Sequence, residues 1–227
     1  ITAAYATFVN GGVETQPFII DRVQDRHGAT IYKHDDRECF GCDADFWSGQ
    51  AEPQLADTRA QVMDPRTAYQ MVSMLEGVVQ RGTGRSVGRV VEHHVAGKTG
   101  TTNEYKDAWF VGFSPDLAAG VYVGFDLPAS LGRGEAGGKV AAPIFAEFMA
   151  EALKDEAAIP FRVPSGIRLV RVNAKTGKPA GPGERNVILE AFKSDDILSA
   201  QAAADEFTLD PLSASPDEDE DELEGLF

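Results

Sequence analysis

Apolar residues at the start of the chain recur at helical spacing. Ile1, Tyr5, Phe8 and Val9 mark one side, and Asn10-Gly11-Gly12 then supplies residues that stop a helix. The pattern next becomes extended. Phe18-Ile19-Ile20 and Val23 lead through Asp25-Arg26-His27-Gly28 into Thr30-Ile31-Tyr32, which predicts a β-hairpin with a glycine-bearing turn. Residues 34–62 are rich in Asp, Gly, Pro and Gln, have little periodicity, and read as a long surface excursion. The clearest helix is predicted over Pro65 to Arg81. Asp64 is placed to cap it, Pro65 takes the first helical position, and Ala68, Val72, Leu75 and Val79 form one face.

From Val95 to Asp126, apolar segments alternate with short breaks. This predicts three adjacent antiparallel strands: one entering Gly97-Lys98-Thr99-Gly100, one over Ala108 to Phe113, and one over Leu117 to Phe125 after a Ser114-Pro115-Asp116 turn. A last amphipathic helix is predicted over Val140 to Lys154, with Ile144, Phe148 and Leu153 as its core contacts. Beyond Pro160, strand-like pieces stand at Ile167 to Val172 and Val187 to Phe192. The expected organisation is a main domain over 1–160 with a hairpin and loop insertion at about 13–62, a short β segment over 161–194, and a tail over 195–227.

Charge sharpens that division. The 227 residues carry a formal net charge of −15, but the stretch from Asp205 onward holds ten Asp and Glu and no Lys or Arg. The first 204 residues therefore have an unremarkable net charge of −5. The run Asp217 to Glu222, flanked by Ser and Pro, has too little apolar surface to offset ordering entropy and is expected to be disordered. The acidic balance argues against a nucleic-acid surface, which needs clustered Lys and Arg, and against docking on anionic lipid. No apolar run reaches the roughly 20 residues that span a bilayer. The chain opens at Ile1 inside a helix and reads as the downstream part of a longer protein.

Three motifs invite chemical readings that their surroundings weaken. Ala96-Gly97-Lys98-Thr99 looks like the end of a phosphate-binding loop, but Glu92 stands where such a loop needs glycine, and the residues that follow are β-branched. Gly84-Arg85-Ser86-Val87-Gly88 matches a nucleophile elbow. It follows a helix instead of a strand, however, and the only downstream histidines, His93 and His94, are too close to form a separate arm of a triad. Cys39 and Cys42 suit a redox pair, half a metal site or a local disulfide. The irregular polar loop around them favours the disulfide, and no metal is expected.

Lys98-Thr99-Gly100-Thr101-Thr102 is more informative. On a strand, Thr99 and Thr101 point to one side and Lys98 to the other, so two hydroxyls share a face beside a cationic group. That combination suits an anionic ligand. Gly100 leaves room for a substrate backbone, and an edge-strand N–H is a candidate oxyanion donor.

Four runs together resemble the transpeptidase domain of class A penicillin-binding proteins, the bifunctional peptidoglycan synthases of bacteria. They are Ala4-Tyr5-Ala6-Thr7-Phe8-Val9-Asn10-Gly11-Gly12, Arg81-Gly82-Thr83-Gly84, Gly97-Lys98-Thr99-Gly100-Thr101-Thr102-Asn103, and Asp107-Ala108-Trp109-Phe110-Val111-Gly112. The resemblance covers residues 1 to about 155. It implies an α+β fold, α/β in broad terms, with a β-lactamase/transpeptidase-like antiparallel sheet flanked by helices, five-stranded when intact and incomplete here. It further implies serine-based acyl transfer on D-Ala-D-Ala stem peptides, β-lactam binding, and no cofactor. Partners would include other cell-wall synthesis proteins, and the location would be the periplasmic face of the cytoplasmic membrane.

Carried over residue by residue, Lys98 would set the electrostatics of the serine and lysine cluster. Thr99 and Thr101 would hold the ligand carboxylate, the Thr101 N–H would share the oxyanion hole, and Thr102 and Asn103 would line the cleft beyond. The departure from the family pattern is large: none of the eight lysines has a serine three residues before it, and Ser-x-Asn is absent. The nucleophile is therefore expected upstream, and this chain alone is expected to be inactive. A non-catalytic interaction module of the same fold and a serine β-lactamase are the alternatives.

Overall fold

The computed structural model describes residues 1–37, 39, 42, 46, 48, 49, 51 and 55–196. The expected disorder of the acidic run at 217–222 lies outside these residues. The described residues form two compact units, Ile1–Ser165 and a second that begins at Gly166.

The first unit opens with helix α1, Thr2–Val9. Its end is closed by paired hydrogen bonds, Gly12 N–H to Thr7 O at 2.8 Å and Gly11 N–H to Phe8 O at 3.2 Å. Both glycines have positive φ, +67° and +84°, so the Asn-Gly-Gly stop works because these two positions need no Cβ. The hairpin pairs β1, Arg22–Gln24, with β2, Thr30–Lys33. Its turn is held by Asp25, whose carboxylate accepts from the His27 and Ala29 N–H groups. The strands are shorter than the apolar pattern suggests. Phe18, Ile19 and Ile20 lie ahead of β1 and are exposed.

Helix α2 spans Pro65–Arg81 as expected. The Asp64 carboxylate accepts from the Arg66 N–H at 2.7 Å, and Ala68, Val72, Leu75 and Val79 are all buried. A central sheet follows, formed by β3 (Ala96–Thr101), β4 (Asp107–Phe113) and β5 (Ala118–Gly124), antiparallel in the order β3-β4-β5. Among the described residues this sheet has three strands, and β3 forms one edge. One sheet face, with Ala96 and Phe113, packs against Val72 and Leu75 of α2 and Phe161. The opposite face, with Phe110, packs against α3, Gly137–Ala152.

Helix α3 corrects one reading. Ile144 and Phe148 are 48% and 52% exposed, whereas Phe145 and Met149 are fully buried. The buried stripe runs through Ala141, Ala142, Phe145, Ala146 and Met149. Three alanines let the helix approach the sheet closely while Phe145 and Met149 fill the space between, so the inward face is the one that combines small residues with these two side chains and not the one through Ile144 and Phe148. Leu153 is buried as expected.

The second unit is an antiparallel pair, β6 (Ile167–Asn173) with β7 (Val187–Lys193), whose buried residues include Val172 and Ala191.

Candidate active site

The site is built on the open edge of β3. Lys98, Thr99, Gly100 and Thr101 all lie on this strand, while Thr102 and Asn103 lead into the turn toward β4. The register places Thr99 opposite Phe110 and Thr101 opposite Ala108, on the α3 face. Lys98 and Gly100 stand opposite Val111 and Trp109, on the other face. The expected alternation is present, yet it does not keep the groups apart. The long Lys98 side chain folds over the strand edge and donates to Thr99 O at 2.8 Å and to Thr99 Oγ1 at 3.3 Å. An edge strand permits this because no neighbouring backbone stands in the way.

Backbone direction follows from one bond. Thr102 N–H donates to Asp107 O at 3.1 Å, across the β3–β4 pair. Backbone groups alternate along a strand, so the N–H and C=O of Thr99 and Thr101 face away from β4, toward the open side. The Lys98 contact to Thr99 O agrees with that orientation.

Each hydroxyl has a distinct situation. Thr101 Oγ1 accepts from Gly137 N–H, at the first residue of α3, at 3.0 Å. Its own proton remains available to an acceptor outside the protein. Thr99 Oγ1 lies 2.8 Å from Thr83 Oγ1, where either atom can donate. Thr83 belongs to the Arg81-Gly82-Thr83-Gly84 run that follows α2. The sequence marked that run as part of the family pattern, but nothing in its spacing tied Thr83 to Thr99.

The close approach of α3 depends on its first two residues being glycine. A Cβ on Gly137 would overlap Gly100 O and Trp109 O, and one on Gly138 would lie 3.0 Å from Thr83 O. The α3 N-terminus, with its partial positive charge, is thereby held against the hydroxyl-bearing face.

The turn beyond β3 is self-contained. Thr102 Oγ1 accepts from Asp107 N–H at 2.8 Å and donates to Asp107 Oδ2 at 3.0 Å. Tyr122 OH donates to Asp107 Oδ1 at 2.8 Å. That bond to a carboxylate raises the phenol pKa above its ordinary value, because ionising it would set two negative groups together. Glu104 and Tyr105 both have positive φ, at 61° and 56°, without being glycine. The Asp107 bonds hold this strained turn in place. Thr102 thus directs its hydroxyl into the turn, whereas Asn103 is exposed.

A recess of about 240 Å³ adjoins the edge, lined by Ile1, Tyr5, Lys98, Thr99, Gly100, Trp109 and Val111. A larger hollow of about 390 Å³ lies by the end of α2, lined by Glu76, Arg85, Arg89, His93 and His94 among others. None of residues 98–103 lines it, so size alone does not locate the chemistry. The rejected elbow at residues 84–88 contributes a short 3-10 turn over Val87–Arg89, and Val87 is buried in the core. Cys39 and Cys42 are joined as a disulfide. The tripeptide itself recurs as Lys175-Thr176-Gly177, but there it forms a turn, with the Lys175 and Thr176 N–H groups donating to Asn173 Oδ1. Only the first copy lies on a strand edge.

The family model "Penicillin binding protein transpeptidase domain" matches residues 1–150. The chain belongs to this transpeptidase family. Penicillin-binding protein 1A of Rickettsia prowazekii is 42% identical over 203 residues, which cover 87% of this chain and 25% of that protein. Penicillin-binding protein 1A of Pseudomonas aeruginosa is 37% identical over 225 residues, covering 86% of this chain and 27% of that protein. The crystal structure of penicillin-binding protein 1A from Haemophilus influenzae superposes with a TM-score of 0.67 at 27% identity, over 85% of this chain and 31% of that one. The α+β transpeptidase-like fold expected from the sequence is borne out by that likeness. The chain spans about a quarter of the length of these curated relatives.

Proposed function

We propose that this chain forms the substrate-clamping wall of a serine-type D,D-transpeptidase that cross-links peptidoglycan. The observation that carries the reading is the open β3 edge. There, Lys98, Thr99 and Thr101 gather a cation and two hydroxyls beside outward-facing backbone N–H groups, next to the α3 N-terminus.

The ligand is the C-terminal D-Ala-D-Ala of a stem peptide, or a β-lactam. Thr99 and Thr101 donate hydroxyl protons to its carboxylate, and Lys98 supplies the balancing charge. A serine elsewhere in the parent polypeptide attacks the penultimate carbonyl, forming an acyl–oxygen bond as the carbonyl becomes an oxyanion. The outward Thr101 N–H shares in stabilising that charge. A base takes the serine's proton and passes it to the leaving nitrogen as the oxyanion collapses and the C–N bond breaks, so the terminal D-Ala leaves as an amine. An acceptor amine then attacks the acyl–serine ester, and the proton it gives up returns to the serine oxygen as the C–O bond breaks. Lys98 sits at the recess where the serine cluster would meet this wall.

The sequence holds neither Ser-x-x-Lys nor Ser-x-Asn, so we assign the nucleophile, its base and the second motif to another part of the parent. We place the parent on the outer side of the cytoplasmic membrane, where the proposed substrate is. Among the described residues no helix is long and apolar enough to cross a membrane.

Fluorescent penicillin tests the assignment. The intact parent is expected to retain a covalent label through denaturing electrophoresis. A parent that takes no label would favour the non-catalytic module, and one that releases hydrolysed penicillin rapidly would favour a β-lactamase.

A further inference from the structure

We infer that Thr83, outside the strand motif, is a positioning residue for carboxylate recognition, acting through Thr99. This rests on the reading of the β3 edge as a carboxylate site.

The Thr83 and Thr99 hydroxyl oxygens are 2.8 Å apart, and the Lys98 ammonium is 3.3 Å from Thr99 Oγ1. Two hydroxyls carry two protons, and one proton lies between the two oxygens. A hydroxyl oxygen accepts at two positions and donates at one. When Thr99 gives its proton to a ligand carboxylate, its oxygen is left to accept from Lys98 on one side and Thr83 on the other. All three of its hydrogen-bonding positions are then filled, and its proton has one direction available. Without the Thr83 hydroxyl, Thr99 keeps only the longer bond to Lys98, and its rotor is no longer fixed.

The surroundings hold Thr83 where this requires. Gly82 N–H and Gly84 N–H both donate to Val78 O, at 3.0 and 3.1 Å, pinning the turn to the end of α2. On its other side, Thr83 O lies against Gly138 of α3, where a Cβ would come within 3.0 Å. The residue is exposed, so its hydroxyl is not there to fill a core. Thr83 is thus fixed by two helices and brought to the strand edge from a point 16 residues away.

The test uses the intact parent and compares penicillin G with its methyl ester, which lacks the negative carboxylate. Thr83→Val is expected to lower acylation efficiency toward the free acid about tenfold, the scale of one charge-assisted hydrogen bond, while changing that toward the ester less than about twofold. Thr83→Ser is expected to restore the acid to near wild type. Thr83→Ala gives the same comparison should the valine distort the turn. Equal losses on acid and ester in both variants, or no loss on the acid, would overturn the role of Thr83. A wild-type parent that neither ligand acylates would instead overturn the carboxylate-site reading, and this inference with it.

Discussion

At the scale of single residues, the site is a matter of which protons are already engaged. Thr101 and Thr102 are adjacent threonines with opposite fates. The Thr101 oxygen accepts from α3 and keeps its proton free, whereas the Thr102 hydroxyl is engaged twice by Asp107. Thr101→Val in the intact parent is expected to reduce penicillin acylation efficiency by about 10- to 100-fold, since it removes a donor to a charged ligand group. Stopped-flow or gel-based acylation rates would check this, and a loss under threefold would remove Thr101 from the clamp. The glycine at 137 is constrained as tightly. A methyl group there meets two carbonyl oxygens of the sheet, so Gly137→Ala is expected to destabilise the fold by about 1–3 kcal/mol in urea unfolding.

At the scale of elements, helices α2 and α3 show where periodicity succeeds and where it misleads. In α2 the face predicted from Ala68, Val72, Leu75 and Val79 is the buried one, and the Asp64 cap and Pro65 start agree with it. The Arg66 side chain, and then its N–H, hold the Asp64 carboxyl well below the usual carboxylate range. A lowered pKa means that the stabilisation is present above the unfolded value, near pH 4, and is lost as pH falls through the folded value. Asp64→Ala is accordingly expected to lower the thermal midpoint by a few degrees at pH 7, with the gap to wild type closing below about pH 4. In α3 two phenylalanines three residues apart compete for the core, and Phe145 occupies it. Phe145→Ala is expected to cost about 3–5 kcal/mol, against under about 0.5 for the exposed Phe148. Denaturant midpoints of the two variants would distinguish this from the opposite assignment, in which Phe148 is the costly loss.

At the scale of the whole molecule, the proposed role gives the chain one side of a two-sided site. In that role the strand edge would bind and polarise, and the nucleophile would come from elsewhere in the parent, since this sequence holds neither Ser-x-x-Lys nor Ser-x-Asn. The chain by itself is expected to show no mass increase of one penicillin after prolonged incubation, as read by intact mass spectrometry. A stoichiometric adduct would mean that one of its own hydroxyls is activated, contrary to the division proposed.

The order and type of the elements, the α2 cap and the Gly11-Gly12 stop were legible in the sequence because each depends on neighbours within a few residues. The family was legible because four separated runs kept their order. Which Lys-Thr-Gly is the candidate site was not set by the tripeptide, since residues 175–177 repeat it in a turn. Packing decided that one copy would lie on an open edge, that Lys98 would fold back onto Thr99, and that Phe145 would face the sheet in place of Phe148. It also brought Thr83 to Thr99 and set Gly137 against Thr101. Local sequence fixes dihedral preferences and face patterns, but hydrogen bonds between distant side chains arise only when the sheet and helices settle at their close-packed spacing.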